Sequence, residues 1–158
     1  MPVFEANQTI NARAEIVWKF FSDPAILSVI TPPDMGFYIK FPLKSIPAYA
    51  GMIIKYKVSP LFSIPLQWVT EITHVEENKF FVDIQLKGPF KIWHHQHIFK
   101  NVEEFTEMTD ILYYELPFGH LGKWVAGRLV RKRINHIFKY REMMVNRIFN
   151  NPSEKRPD

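Results

Sequence analysis

The sequence predicts an α+β fold: a curved seven-stranded antiparallel sheet around a long C-terminal helix, with two short helices after the first strand. Three observations lead there. Residues 123–149 contain no proline and place Ala126, Val130, Ile134, Ile137, Phe138, Met144, Val145, Ile148 and Phe149 on one broad face at helical spacing. From Gly36 to Leu116 the apolar period shortens to that of strands, interrupted by turn residues. A half-buried sheet and an amphipathic helix each have one face to bury, and packing them together buries both.

In chain order, Val3–Ile10 alternates and forms the first strand. Asn11 is the expected N-cap of a helix over Ala14–Ser22, in which Val17 meets Phe20 and Phe21 at helical spacing. Asp23 and Pro24 restart a second short helix as cap and first position, and Thr31-Pro32-Pro33 ends it. The expected strands are then Phe37–Leu43, Met52–Val58, Leu66–Val75, Phe80–Leu86, Phe90–Phe99 and Phe105–Leu116. Most are separated by turn signals: Ala50-Gly51, Ser59-Pro60, Glu77-Asn78, Gly88-Pro89 and Val102-Glu103-Glu104. Short links between successive strands predict an antiparallel meander. The last helix opens after Leu121-Gly122, covers Lys123–Phe149 over about 40 Å, and stops at Asn150-Asn151-Pro152. A strongly curved sheet does not meet a straight helix everywhere, so a cavity on the order of several hundred Å³ is expected between them. One domain over residues 1–150 and a disordered tail over 151–158 complete the expectation.

With 47% hydrophobic residues in 158, including fourteen Phe, the chain can fill a substantial core with bulky rings. The absence of cysteine excludes a disulfide scaffold, thiolate metal ligands and a cysteine nucleophile. The N-terminus lacks the pattern of a signal peptide, and no stretch reaches the roughly 18 apolar residues of a membrane span, so a cytoplasmic location is expected. The net charge of +4 is unevenly placed. Residues 1–122 carry ten Lys and Arg against thirteen Asp and Glu, whereas the long helix carries Lys123, Arg128, Arg131, Lys132, Arg133, Lys139, Arg141 and Arg147 against Glu142 alone. Such a face suits solvent and the helix dipole, and leaves weak contact with a membrane surface open. Nucleic-acid recognition motifs, a phosphate-binding loop and a dinucleotide fingerprint are missing, so neither a nucleic-acid partner nor a cofactor is expected.

Trp93, His95, His97 and Phe99 lie two apart and share one strand face. Two imidazoles so placed can converge on one metal, but a site still needs a third protein ligand and an acceptor behind each ring. Asp110, on the following strand, is the best candidate for that ligand, and no metal is assigned. The same pair suits a hydrogen-bonded structural cluster, or a polar lining that orients a ligand. His94 faces the other way and is expected to be exposed. Arg141 falls at the centre of the helix's apolar face, where a guanidinium is costly unless paired. Asp83 and Asp110 are its natural partners. Arg141 can tie helix to sheet, bind a ligand carboxylate or phosphate, or snorkel to the rim. Leu116 to Gly122, with Gly119 and Gly122, marks a mouth where free helix amides could meet an anion. Tyr113, Tyr114 and Glu115 could serve acid–base work, but no nucleophile–base–orienter set emerges from the spacing, so no catalytic residue is assigned.

Several stretches carry a family resemblance. They are Val17-Trp18-Lys19-Phe20-Phe21-Ser22-Asp23-Pro24, Ile30-Thr31-Pro32-Pro33-Asp34-Met35, and Pro65-Leu66-Gln67-Trp68 with Glu71-Ile72. Further on come Phe81-Val82-Asp83, Gly88-Pro89-Phe90 with Trp93, His95, His97 and Phe99, and Asp110 with Tyr114-Glu115-Leu116-Pro117-Phe118-Gly119. Over about residues 3–149 the chain resembles the SRPBCC superfamily, which includes START lipid-binding domains, the birch pollen allergen fold and polyketide cyclases. Within it, the stretches look like the bacterial branch of ligand-binding SRPBCC domain proteins. The resemblance implies a helix-grip fold whose cavity binds or transports a small apolar or amphipathic molecule, lipid- or polyketide-like. The alternative it implies is an enzyme of polyketide cyclase, hydratase or isomerase type working in the same cavity. The residues expected to face the ligand are Trp68, Asp83, Trp93, His95, His97, Asp110, Tyr114, Phe118, Ile134, Phe138 and Arg141. The fold by itself does not choose between carrier and enzyme.

Overall fold

The computed structural model describes residues 1–42, 44–59, 64–117 and 119–151, apart from the side chains of 119–125. Strand β1 (Val3–Ile10) leads into helix α1 (Ala14–Phe21), a 3₁₀ turn at Pro24–Ile26 that continues as α2 (Leu27–Ile30), and another 3₁₀ turn at Pro33–Met35. Strands β2 (Tyr38–Phe41), β3 (Met52–Val58), β4 (Leu66–Glu76), β5 (Phe80–Lys87), β6 (Ile92–Val102) and β7 (Phe105–Glu115) follow. Helix α3 (Gly119–Val145) ends in a single π turn, Asn146–Asn150.

The strands form one antiparallel sheet in the order β1-β7-β6-β5-β4-β3-β2. The last six are the expected meander, and β1 returns to pair with β7 from Val3 opposite Tyr113 to Ile10 opposite Thr106. Register shifts between Val69 and Thr70, between Ile72 and His74, and between Ile39 and Phe41 kink the β2–β5 half. Such bulges increase twist and let the sheet curl around α3. Turn chemistry fits the links. Asn78 takes the left-handed conformation (φ 62°) in the turn between β4 and β5, and Gly51 (φ 90°) does so before β3.

The far end of α3 is fastened to β1 by amide side chains. Gln8 donates to the Glu142 carbonyl (3.0 Å) and to Asn146 Oδ1 (3.1 Å), and Asn150 donates to the Thr9 carbonyl (3.2 Å). Asn11 gives its backbone N–H to Asn150 Oδ1 (2.8 Å). Asn11 therefore does not cap α1: the N-cap is Arg13, with no side-chain bond. Asp23 does cap the Pro24–Ile26 turn, accepting from Ala25 N–H. The long helix starts earlier than expected, at Gly119, and its last residues turn π-helical because the two asparagines bond into the sheet. The expected tail falls, beyond Asn151, outside the described residues.

The core divides into three apolar groups. One lies under α1, where Trp18 meets Phe81 and Phe99 edge-on (5.9 and 5.7 Å between ring centres), and reaches Val145 at the end of α3. A second joins Leu112, Tyr114 and Leu116 to Val130, Ile134 and Phe138, with Phe4 against Phe138 at 4.5 Å. A third gathers Met35, Val58 and Trp68, with Tyr56, Trp93 and Ile137 beside it. No described helix is long and apolar enough to cross a membrane.

The β5–β6 link depends on a close approach. Gln85 donates to the Phe90 carbonyl (2.7 Å) and accepts from Phe90 N–H (3.3 Å), and a Cβ on Gly88 would collide with the Gln85 amide. Gly88→Ala should therefore expel Gln85 from this clamp and lower stability by about 1–2 kcal/mol. Urea denaturation measures it, and an unchanged midpoint would show that the clamp is dispensable.

Candidate functional site

Antiparallel register gathers the polar residues of the inner face. Asp83 on β5 is the direct partner of His95 on β6, and His97 on β6 is the direct partner of Asp110 on β7. Side chains of directly opposed residues point to the same side of a sheet. All four therefore project from the concave face, where α3 lies. Arg141 reaches them from the helix, its guanidinium over the Phe138 ring at 4.9 Å.

Asp110 Oδ1 is the hub. It accepts from His95 Nε2 (2.9 Å) and from Arg141 Nη1 (3.0 Å), and His97 Nδ1 lies 2.9 Å away without a well-directed hydrogen bond. On the other side, His97 Nε2 donates to Asp83 Oδ2 (3.0 Å), and His95 Nδ1 lies 3.5 Å from the same oxygen. The imidazoles thus stand between two carboxylates, with ring centres 3.8 Å apart. His95, His97, Asp110 and Arg141 are buried, and Asp83 is nearly so.

Electrostatics sort the protons. Burial pushes the Asp110 carboxyl up, but the Arg141 charge, the hydrogen bond of His95 and the adjacent His97 outweigh it and hold the group well below its ordinary value. Asp83 is likewise lowered, burial being overcome chiefly by its hydrogen bond to His97. Burial and then the neighbouring His97 lower His95 despite Asp110. For His97, burial is outweighed by the carboxylates of Asp110 and Asp83 on either side of the ring, and its pKa is raised. Two carboxylates held ionised thus face the Arg141 guanidinium and the imidazole pair.

Beside this cluster lies a cavity of about 140 Å³, partly open to solvent. It is smaller than the several hundred Å³ expected. Its apolar wall comes from Phe21, Ile26, Leu27, Ile30, Met35, Phe37, Ile54, Val58, Ile72, Phe81, Ile134, Ile137 and Phe138. Tyr56 and Thr70 add a hydroxyl pair, 3.2 Å apart, and burial raises the Tyr56 phenol far above its ordinary value.

Of the residues expected to face a ligand, Trp68, Asp83, Trp93, His95, His97, Ile134, Phe138 and Arg141 line this cavity together. Asp110 stands one layer behind, holding the histidines and Arg141. Tyr114 lies in the second apolar group, away from the lining. Phe118 lies outside the described residues. Between the two proposed partners, Arg141 bonds Asp110 and not Asp83. His94 is half-buried rather than exposed, its ring edge-on to Tyr113 at 5.9 Å on the outer face. Tyr56 and Thr70 were missed as lining residues. Each is a polar break in an apolar inward-facing row, Ile54-Tyr56-Val58 and Trp68-Thr70-Ile72, the same signal that singled out Arg141.

No protein-family model matches the chain, and no curated protein matches it. Solved structures do. The ZhuI aromatase/cyclase from Streptomyces sp. R1128 is similar at 14% identity and a TM-score of 0.70, over 93% of this chain and 95% of that one. A START superfamily protein from Mycobacterium smegmatis is similar at 14% identity and 0.64, over 92% and 98%. A protein of Thermus thermophilus, TTHA0849, is similar at 19% identity and 0.67, over 91% and 97%. The chain has a helix-grip α+β fold, which it shares with these proteins. At these identities the likeness defines the fold alone.

Removing one partner of a buried ion pair strands the other charge, at a cost of about 3–5 kcal/mol. Arg141→Met should destabilise the protein by that amount in guanidinium denaturation, through Asp110. A loss below about 1 kcal/mol would mean that water already satisfies Asp110.

Proposed function

We propose that the chain binds or carries a small amphipathic molecule in the cavity between the sheet and α3, as the ligand-binding SRPBCC branch implies. One observation supports this above the rest: a largely apolar cavity, partly open to solvent, is walled on one side by buried polar side chains. Trp68 and Arg141 both line it, at 7% and 9% exposure, and neither Trp68 Nε1 nor Arg141 Nε has a hydrogen-bond partner among the described residues. An unsatisfied buried donor costs about 1–3 kcal/mol, which an oxygen of an occupant would relieve once the side chain turns toward the cavity. The size favours a compact occupant. An apolar cavity of about 150 Å³ accommodates benzene, so the volume suits one or two rings, as in a polyketide-like fragment, better than a whole lipid tail.

A second reading is an enzyme of the polyketide cyclase, hydratase or isomerase type. It is favoured by the imidazole–carboxylate cluster at the same cavity and by the fold shared with an aromatase/cyclase. Native mass spectrometry of the protein purified from its own host separates the two. A co-purifying small molecule that stays unchanged on incubation supports a carrier, and its conversion supports an enzyme. Filling the cavity gives a further check: Ile137→Trp, a residue of the lining, should abolish the co-purifying mass while circular dichroism stays native. Retention of that mass would place the ligand elsewhere.

A further inference from the structure

We infer that Asp83, His95 and His97 form a binding site for one divalent transition-metal ion of the zinc type, with Asp110 and Arg141 holding the ligands in place. One ligand atom from each of the three lies within 4.8 Å of the other two. Asp83 Oδ2 is 3.0 Å from His97 Nε2 and 3.5 Å from His95 Nδ1. Ligand atoms about 2.0–2.2 Å from a tetrahedral zinc stand about 3.3–3.5 Å apart. Two of the three separations are therefore close to those of a tetrahedral site.

What separates this cluster from a mere group of polar residues is the carboxylate behind the rings. A metal-binding histidine presents one nitrogen to the ion and gives its other N–H to an acceptor, which fixes the tautomer and the ring plane. Here Asp110 Oδ1 accepts from the far nitrogen of His95, Nε2, and lies 2.9 Å from that of His97, Nδ1, which a small ring rotation would align with it. On the Asp83 side, Nδ1 of His95 lies 3.5 Å from Asp83 Oδ2 and Nε2 of His97 donates to it, a proton the ion would replace. Arg141 Nη1 holds Asp110 at 3.0 Å. Fixed charge also favours a cation: the cluster has two carboxylates and one guanidinium, and that guanidinium bonds Asp110. With no cysteine in the chain, the donors are imidazole and carboxylate only, a set suited to zinc, cobalt or iron(II) rather than to softer ions. All three ligands line the cavity, so the remaining coordination positions face it, where water or an oxygen of an occupant would complete the shell. The site does not rest on the ligand proposal, because the ion binds whether or not the cavity holds an organic molecule.

The test uses the full chain without a polyhistidine tag, stripped with chelator and titrated with Co²⁺. The expected result is one equivalent bound, with visible bands of low-symmetry cobalt that Zn²⁺ abolishes. His95→Ala and His97→Ala should each weaken binding by about 100-fold or more, and Asp110→Asn by about 10–100-fold. His94→Ala, on the opposite face, should bind like the wild type. If the inner variants do not fold, nitrogen-detected imidazole spectra of the wild type answer the same question. Zn²⁺ should move the signals of His95 and His97 and leave those of His74 and His94 in place. Absence of stoichiometric binding, or binding that leaves His95 and His97 unmoved, overturns the inference.

Discussion

A guanidinium in the middle of a helix's apolar face must find a carboxylate or leave the core. Arg141 finds Asp110 at 3.0 Å, and much of the molecule follows from that bond. It fixes the height and rotation of α3 over β6 and β7. It keeps Asp110 ionised, so that Asp110 can order His95 and His97, which in turn reach Asp83. Amide ties from Gln8 and Asn150 hold the end of the helix on β1. The helix is thus attached by directional bonds at its centre and its end; part of its apolar face packs on β1 and β7, and Ile134, Ile137 and Phe138 also bound the cavity.

The cost is a divided core. The three apolar groups of the described core meet around the cluster and the cavity through half-buried rings, Tyr56, Phe90 and Trp93. Close packing there would have contributed more stability than a buried charge network usually does. Groups that stability alone would not select point to function, and the unpartnered nitrogens of Trp68 and Arg141 point the same way. Carrier and enzyme use the same architecture. They differ in whether the histidines only position an occupant or also exchange protons with it.

The fold was legible because its signals are local. Asp23-Pro24, Glu77-Asn78 and Gly88-Pro89 punctuate the chain where the elements break, and Val3–Ile10 and Met52–Val58 alternate, though imperfectly, along their strands. Arg141, His95 and His97 were visible as polar residues in apolar rows. What local pattern could not supply was register. Asp83 and Asp110 flank the His-x-His strand alike in sequence, and only the pairing shows Asp110 as the hub bonded to Arg141, with Asp83 in front at the cavity. The same holds for the π turn, which exists because Asn146 and Asn150 bond to each other and to β1. The cavity's size was likewise beyond reach, since it depends on how far bulges at Val69–Thr70 and Ile72–His74 bend the sheet.

The most direct test is a crystal structure of the protein purified from its own host. The expected result is density for a compact molecule between Trp68, Tyr56 and Ile137, with an electronegative atom about 3 Å from Arg141 Nε or Trp68 Nε1. A structure in which Phe138, Ile137 and Trp93 close over that space, and both nitrogens bond to protein acceptors, would contradict it.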